Sequence, residues 1–453
     1  VILLFGVFIL LGFVWSFLAS REPRYQGKSL SDWYKDYCRP LRGREAYVDG
    51  KRRAEALAAI RQIGTNALPY LLDIAFDTNK DSSTHSNLMV FASDVRTFFG
   101  GTELVKPELL RREASPLIRE LKPPARALLP LLQEKLHSTN FVTNSFSLYL
   151  FGGVGEGAQE VLPYLAAPLK ARRWAAISVA LESIEHLGPT ARGSVPALVD
   201  FLADLKGTNY VEGIFARVPA ITSNNLSKAA ATLRDRWLYS TAGALANMGT
   251  NAAPAVPLLQ EFFETRTNIN TRAEIAFALC RIDPTQTNAL DYLVTSLQHR
   301  TNAWYSATRQ LGELGPQARV AEPVLLEALG DTNESVVAEA AVSLKKIGVP
   351  AAEFVPQLKA GLNSKDQMKR FRAAQRVMSV APADADAHRV LVRAATETDS
   401  PVRYIAVEEL AKAGPAAKEA IPVLRELLKS NDRALASAAA EALKEIEAKA
   451  PDN

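Results

Sequence analysis

Apolar residues recur at spacings of three, four and seven through Glu334–Ile347, where Val337, Ala340, Ala341, Leu344 and Ile347 fall on one stripe. That periodicity predicts a helix with one buried face. Gly348 follows, a residue suited to end a helix in the left-handed conformation. A second helix is predicted from near Ala351, carrying Pro356 and Leu358.

The same unit returns along the chain. A helix-ending Gly is followed eight residues later by Pro and ten later by Leu: Gly155, Pro163, Leu165; Gly188, Pro196, Leu198; Gly249, Pro257, Leu259; Gly315, Pro323, Leu325; Gly348, Pro356, Leu358; Gly414, Pro422, Leu424. Three degenerate copies keep the Leu, with Lys122, Asp283 and Ala381 at the anchor position and Leu132, Leu293 and Leu391 after it. Successive anchors lie 33, 33, 61, 34, 32, 33, 33 and 33 residues apart. The interval of 61 is one period plus an insertion near 207–228. A second ruler fixes the register. Eight residues before the anchor stands a small residue (Ala180, Ala307, Ala340, Ala373, Ala406), and four before it an aliphatic one (Ile184, Leu245, Leu279, Leu311, Leu344, Val377, Leu410). Small residues let helices approach closely and the larger ones fill the space between layers. Thr/Asn/Asp pairs such as Thr332-Asn333 and Asn431-Asp432 are read as the turn inside each unit, capping the second helix. This is the pattern of an all-α repeat array, an α-α superhelix in which each unit buries its face on its neighbours.

Upstream, Val1–Ala19 reads VILLFGVFILLGFVWSFLA without a charge. Nineteen residues at ~1.5 Å rise cover a ~30 Å hydrocarbon core. Leu18 stands where a signal-peptide cleavage site needs a small residue, so an uncleaved single-pass helix is expected rather than a removed leader. Arg21, Arg24 and Lys28 follow it. They favour a cytoplasmic C-terminal part, but the flank before Val1 with which they would be compared is not in the sequence, and the side is left open. The expected organisation is a transmembrane anchor over 1–20, a juxtamembrane segment and irregular first helical repeat over 21–104 (a weak unit ends at Gly64, with Pro69 following), the array over 105–448 and a tail over 449–453.

The stretch Thr398-Asp399-Ser400-Pro401-Val402-Arg403, continuing to Ala406, Leu410 and Gly414-Pro415, resembles a HEAT repeat of the bilin-lyase-like subclass. Gly315-Pro316 to Gly348 resembles it nearly as well, with Val337 in place of the Arg. Tyr25-Gln26-Gly27-Lys28-Ser29-Leu30-Ser31-Asp32-Trp33 is similar to the segment that follows the anchor in membrane-attached bacterial HEAT-repeat proteins. The resemblance implies a HEAT-like solenoid whose second helices line a concave face. It implies no single activity, because such arrays serve many partners.

Composition narrows the function. Lys and Arg number 53 against 49 Asp and Glu, a net charge of +4 that is small for a protein coating nucleic acid. Two cysteines, Cys38 and Cys280, make neither a disulfide framework nor a closed zinc site. The five histidines show no metal-ligand spacing. Gly27-Lys28-Ser29 lacks the first Gly of a phosphate loop, and Gly152–Gly157 is expected to be a turn in a helical array rather than a dinucleotide site. No catalytic residue, cofactor or metal site is assigned, and an enzyme is not expected.

The candidate surface is positional. Ten or eleven residues before the anchors, second helices carry Tyr239, Arg272, Trp304, Tyr305, Arg370, Arg403 and Tyr404. Stacked repeats would set these out as a ladder of residue types that dominate interface hot spots. The competing assignment is packing between repeats with local carboxylate pairing. Three functions follow in order: a membrane-tethered scaffold binding an unknown protein partner through its concave face, a bilin-lyase-like or other modification enzyme on a HEAT scaffold, and backbone binding of nucleic acid. No small-molecule substrate is evident.

Overall fold

The computed structural model describes residues 22–38, 46–76, 107–138, 141–171, 173–207, 223–299, 304–397 and 402–448. The expected membrane span, the irregular 77–104 region and most of the 207–228 insertion lie outside these. Among the described residues no helix is long and apolar enough to cross a membrane. The chain falls into two compact units, Val1–Leu187 and Gly188–Asn453.

Unit 1 opens with a two-stranded hairpin, β1 (Arg24–Tyr25) and β2 (Lys28–Ser29), that the helical pattern does not predict. Gln26 and Gly27 both take positive φ, 49° and 78°, as a two-residue hairpin turn with the twist of its strands requires. Eight helices follow: α1 (Leu30–Tyr37), α2 (Ala46–Ile63), α3 (Leu68–Phe76), α4 (Pro107–Glu120), α5 (Ala125–Leu136), α6 (Phe141–Phe151), α7 (Leu162–Lys170) and α8 (Trp174–Leu187). Trp33 Nε1 on α1 donates to the Tyr25 carbonyl at 3.1 Å and Lys28 lies 4.1 Å over the Trp33 ring, which fastens the hairpin to the helix. The Tyr34 hydroxyl donates to the Leu110 carbonyl of α4. The segment after the expected anchor is thus packed onto helices of the array.

Unit 2 alternates first and second helices: α9 (Val195–Lys206) and α10 (Ser223–Met248), α11 (Val256–Thr265) and α12 (Ile269–Ile282), α13 (Thr287–Gln298) and α14 (Trp304–Leu314), α15 (Glu322–Ala328) and α16 (Glu334–Lys346), α17 (Ala351–Lys359) and α18 (Gln367–Val380), α19 (Ala385–Thr396) and α20 (Arg403–Ala413), α21 (Ile421–Leu427) and α22 (Arg433–Ala448). Each second helix packs on the next second helix. The insertion is absorbed in part by α10, whose helix begins at Ser223.

The two sequence rulers coincide with the core. Ala180, Ala307, Ala340, Ala373 and Ala406 are buried, as are Ile184, Leu245, Leu279, Leu311, Leu344, Val377 and Leu410. Gly64, Gly188, Gly249, Gly315, Gly348 and Gly414 all have positive φ. Gly155 does not. There α6 stops at Phe151, and Gly157, with φ 76°, is the left-handed residue. Lys122 adopts φ 47° at the same structural position without being Gly. Asp283 and Ala381 instead end their helices extended, at φ −135° and −131°. Each precedes a proline, as Lys122, Gly315 and Gly414 also do, so the following proline does not by itself set the conformation at the anchor.

Caps follow the expected turn chemistry where described. Asn333 Oδ1 accepts from the Ser335 N–H at 3.0 Å, and Asp432 Oδ1 accepts from Ala434 and Leu435 N–H at 3.1 and 3.2 Å. Asn268, Asp366 and Asp384 cap α12, α18 and α19 in the same way. Prolines 196, 257, 323 and 422 sit at the first helical positions, where a missing N–H costs little, but Pro356 is inside α17.

Candidate functional site

The candidate residues share a register ten or eleven residues before the anchor, which is the start of the second helix for all but Tyr239, well inside α10, and the structure gives them unequal tasks. Arg370 on α18 sends Nη1 back to the carbonyls of Ser364 and Lys365 at 2.8 and 2.9 Å, and Nη2 stands 3.8 Å from Glu397. Arg403 on α20 donates from Nε to the Ala395 carbonyl in the last turn of α19 at 3.2 Å. Arg403 therefore satisfies a carbonyl left free in the last turn of α19, and Arg370 satisfies two carbonyls of the turn that precedes α18. The Tyr404 hydroxyl donates to the carboxylate of Asp432, the cap of α22. Burial pushes the Asp432 carboxyl up, but the bonds from Tyr404 and from the Leu435 and Ala434 N–H groups prevail and hold it below the usual carboxylate range. Arg370 thus closes the turn before its own helix, Arg403 ties α20 to α19, and Tyr404 ties α20 to the cap of α22.

The aromatic positions are placed differently. Tyr239 on α10 and Tyr305 on α14 are 38% and 45% exposed, and each lies ten residues before its anchor glycine. Trp304 beside Tyr305 is half-buried, and its carbonyl accepts from Thr308 Oγ1 at 2.8 Å. Phe371 at the same register is buried, as are Leu238 and Val337 at the position before it.

Arg272, in the register of Arg370 and Arg403, makes neither bond. Its guanidinium lies against two rings of first helices, 4.8 Å from Phe263 on α11 and 4.6 Å from Tyr292 on α13. The rings meet edge to face at 5.4 Å. Its buried Nε has no hydrogen-bond partner. Arg266, the residue that ends α11, lies 4.9 Å over Phe262 and also has an unpartnered buried Nε. Burial lowers its pKa; Asp235 opposes that shift and the Arg234 charge adds to it. Sequence patterning did not single out Arg266. The one signal was the Phe262-Phe263 pair a turn earlier, and Tyr292 is brought up only by packing of the next unit.

In the basic stretch Lys365–Arg376, Arg372 and Arg376 share one carboxylate, reaching Glu334 at 2.7 and 3.9 Å. Among the described residues no group of three His, Cys, Asp or Glu is placed to hold a metal ion. Cys38 and Cys280 are buried, and burial pushes each thiol up to about 12. His388 is buried with Nε2 2.8 Å from the Pro382 carbonyl. Unit 1 carries an open cleft of about 380 Å³ lined by Arg61, Thr65, Glu120 and Lys122, with Arg61 and Glu120 paired at 2.8 Å.

Among solved structures, the chain resembles an engineered protein at 22% identity, over 75% of this chain and 95% of that one, with a TM-score of 0.32. It also resembles Kap121p bound to Nup53p (14% identity, 92% of this chain and 49% of that one, TM-score 0.35). A third is the UNC-45 chaperone (13%, 93% and 63%, TM-score 0.28). The chain spans about half the length of the Kap121p structures, and scores at this level carry no functional argument. A search of curated protein sequences returns no match. The sequence family described as HEAT repeats matches residues 355–444, the stretch that holds α18 to α21 with their shared caps and buried stripe. Residues 355–444 are HEAT repeats.

Proposed function

We propose that the chain is a membrane-tethered scaffold that binds a protein partner along the surface of its second helices, with Val1–Ala19 as the tether. The supporting observation is the exposure of Tyr239 and Tyr305 at equivalent register. A large aromatic ring held in water at one repeat position is unremarkable alone. Recurrence at the same position along an array sets such rings out as a row, and Tyr, Trp and Arg dominate the binding energy of protein interfaces. Trp304 and Arg272 extend that row, while Arg370, Arg403 and Tyr404 hold the helices that present it. No reaction is assigned to the surface.

Crosslinking followed by pull-down from the native membrane tests the reading. A partner recovered with the wild-type chain and lost with the Tyr239→Ala/Tyr305→Ala variant supports it, given an unchanged melting temperature. Equal recovery with that variant overturns the surface. Extraction of the full chain by alkaline carbonate would overturn the tether, because a spanning helix resists that wash.

A further inference from the structure

Arg266 and Arg272 differ in their surroundings from four other arginines of the array. Arg370 and Arg403 are bonded to backbone carbonyls, and Arg372 and Arg376 face Glu334. Among the described residues, Arg266 and Arg272 make no ion pair and their guanidinium groups donate no hydrogen bond. Their planar groups lie against aromatic rings, and the buried Nε of each is unsatisfied. A buried donor without a partner is costly, and a stacked guanidinium leaves its remaining N–H groups directed outward in a fork that matches a carboxylate. Between the two in sequence stands Ile269, three residues from each and 37% exposed at the start of α12. Asp235 partly offsets the charge at Arg266, and Arg234 adds to it.

We propose that Arg266, Ile269 and Arg272, around the turn between α11 and α12, form a docking site for an acidic segment of a protein partner, with carboxylates on the two arginines and an apolar side chain against Ile269. This rests on the scaffold reading and names the chemistry of its partner. Charge complementarity selects that occupant. Two cations flanking an exposed aliphatic residue fit a peptide that mixes Asp or Glu with Leu or Val. Nucleic acid calls for a longer track of phosphate contacts, and the chain carries a net charge of only +4.

The test is fluorescence anisotropy on the full chain in non-ionic detergent. The probes are a labelled dodecapeptide of Glu and Leu, its Lys-for-Glu counterpart, and a single-stranded dodecanucleotide. The acidic peptide should bind saturably, more weakly as salt rises, and the Lys peptide should not bind. Arg266→Gln/Arg272→Gln should raise Kd by about tenfold or more, and Arg425→Gln, at a remote ion pair with Glu447, should leave it unchanged. Should the double variant lose its helical melt, Arg266→Gln alone serves, because it leaves the Phe263–Arg272–Tyr292 stack intact. Absence of saturable binding by the folded wild type overturns the site. So does equal affinity of the glutamine variants, or tighter binding of the oligonucleotide through the same arginines. A native partner still crosslinked by the glutamine variants while the acidic peptide fails to bind overturns this site and leaves the scaffold reading standing.

Discussion

Gly312 and Ser343 meet where α14 crosses α16, so closely that a Cβ on Gly312 would stand 2.8 Å from Ser343 Cβ and 2.9 Å from its Cα. Ser343 Oγ uses the approach to donate to the Thr308 carbonyl, one turn before the glycine, at 2.8 Å. Unit 1 repeats the arrangement. A Cβ on Gly152 would lie 3.0 Å from Ser183 Cα, and Ser183 Oγ donates to the Leu148 carbonyl at 2.9 Å. In both cases Gly and Ser are 31 residues apart, just short of one period, with the Ser five residues before its anchor glycine. Absence of a side chain lets the neighbouring second helix come close, and a buried hydroxyl uses the second lone pair of a helix carbonyl.

Gly312→Ala should therefore cost ~1–3 kcal/mol, since the atoms in the way include backbone that cannot rotate aside. This runs against the usual gain from replacing a mid-helix glycine by alanine. Ser343→Ala should cost only ~0.5–1.5 kcal/mol, because the Thr308 carbonyl stays within its helix. Denaturant titration of both variants checks the order, and a more stable Gly312→Ala would refute the close contact.

Leu325 and Leu358 occupy the repeated position ten residues after the anchor and are buried. Leu→Ala at either should cost ~2–5 kcal/mol. In an array stabilised by nearest neighbours, loss of amide protection should be largest in the altered unit and the two beside it. Hydrogen exchange reads this directly.

Arg370→Ala should lower stability by ~1.5–3 kcal/mol, the range for charged hydrogen bonds, because it frees the Ser364 and Lys365 carbonyls. Tyr305→Ala should change stability by less than ~0.5 kcal/mol, as an exposed surface substitution does. Thermal melts of the two variants separate a residue that holds the helices from one that faces a partner. A large loss in Tyr305→Ala would make that ring part of the packing.

Asp432 has a lowered pKa in the folded chain, so its cap contributes stability above the unfolded carboxyl value of about 3.9. That contribution is lost as pH falls below this value and through the lower folded one. Acid titration should therefore loosen α22, and Asp432→Ala should abolish the Asp432 part of that pH dependence while costing ~0.5–2 kcal/mol near neutrality. Melting temperatures at pH 7 and pH 3 for both proteins provide the measurement; an unchanged acid response in the variant would contradict the assignment.

The period, the anchor glycines, the two core rulers and the Asn and Asp caps were legible in the chain, because each depends on residues close in sequence. Helical spacing decides which side chains share a face, and a cap needs only an N–H two or three residues away. The hairpin at Arg24–Ser29 escaped that reading because two-residue strands leave no periodicity, although Gln26-Gly27 supplied its turn. The glycine at 155 misled because three nearby glycines, at 152, 153 and 157, can also end a helix, and contacts of Gly153 with Arg119 and of Gly155 with Lys122 decide how each is used.

What the sequence could not apportion was the candidate surface. It placed Arg272, Arg370 and Arg403 in one register, and register fixes the direction of a Cβ. Where a long guanidinium side chain ends depends on what neighbouring helices bring within its reach. Arg403 finds a carbonyl in the last turn of its own first helix, and Arg370 finds carbonyls of the turn between its two helices. Arg272 finds Phe263 and, from the next unit, Tyr292, and stacks instead. Local spacing determined the helices and their buried faces; packing between successive units decided which arginines hold those helices together and which remain without a hydrogen-bonded partner.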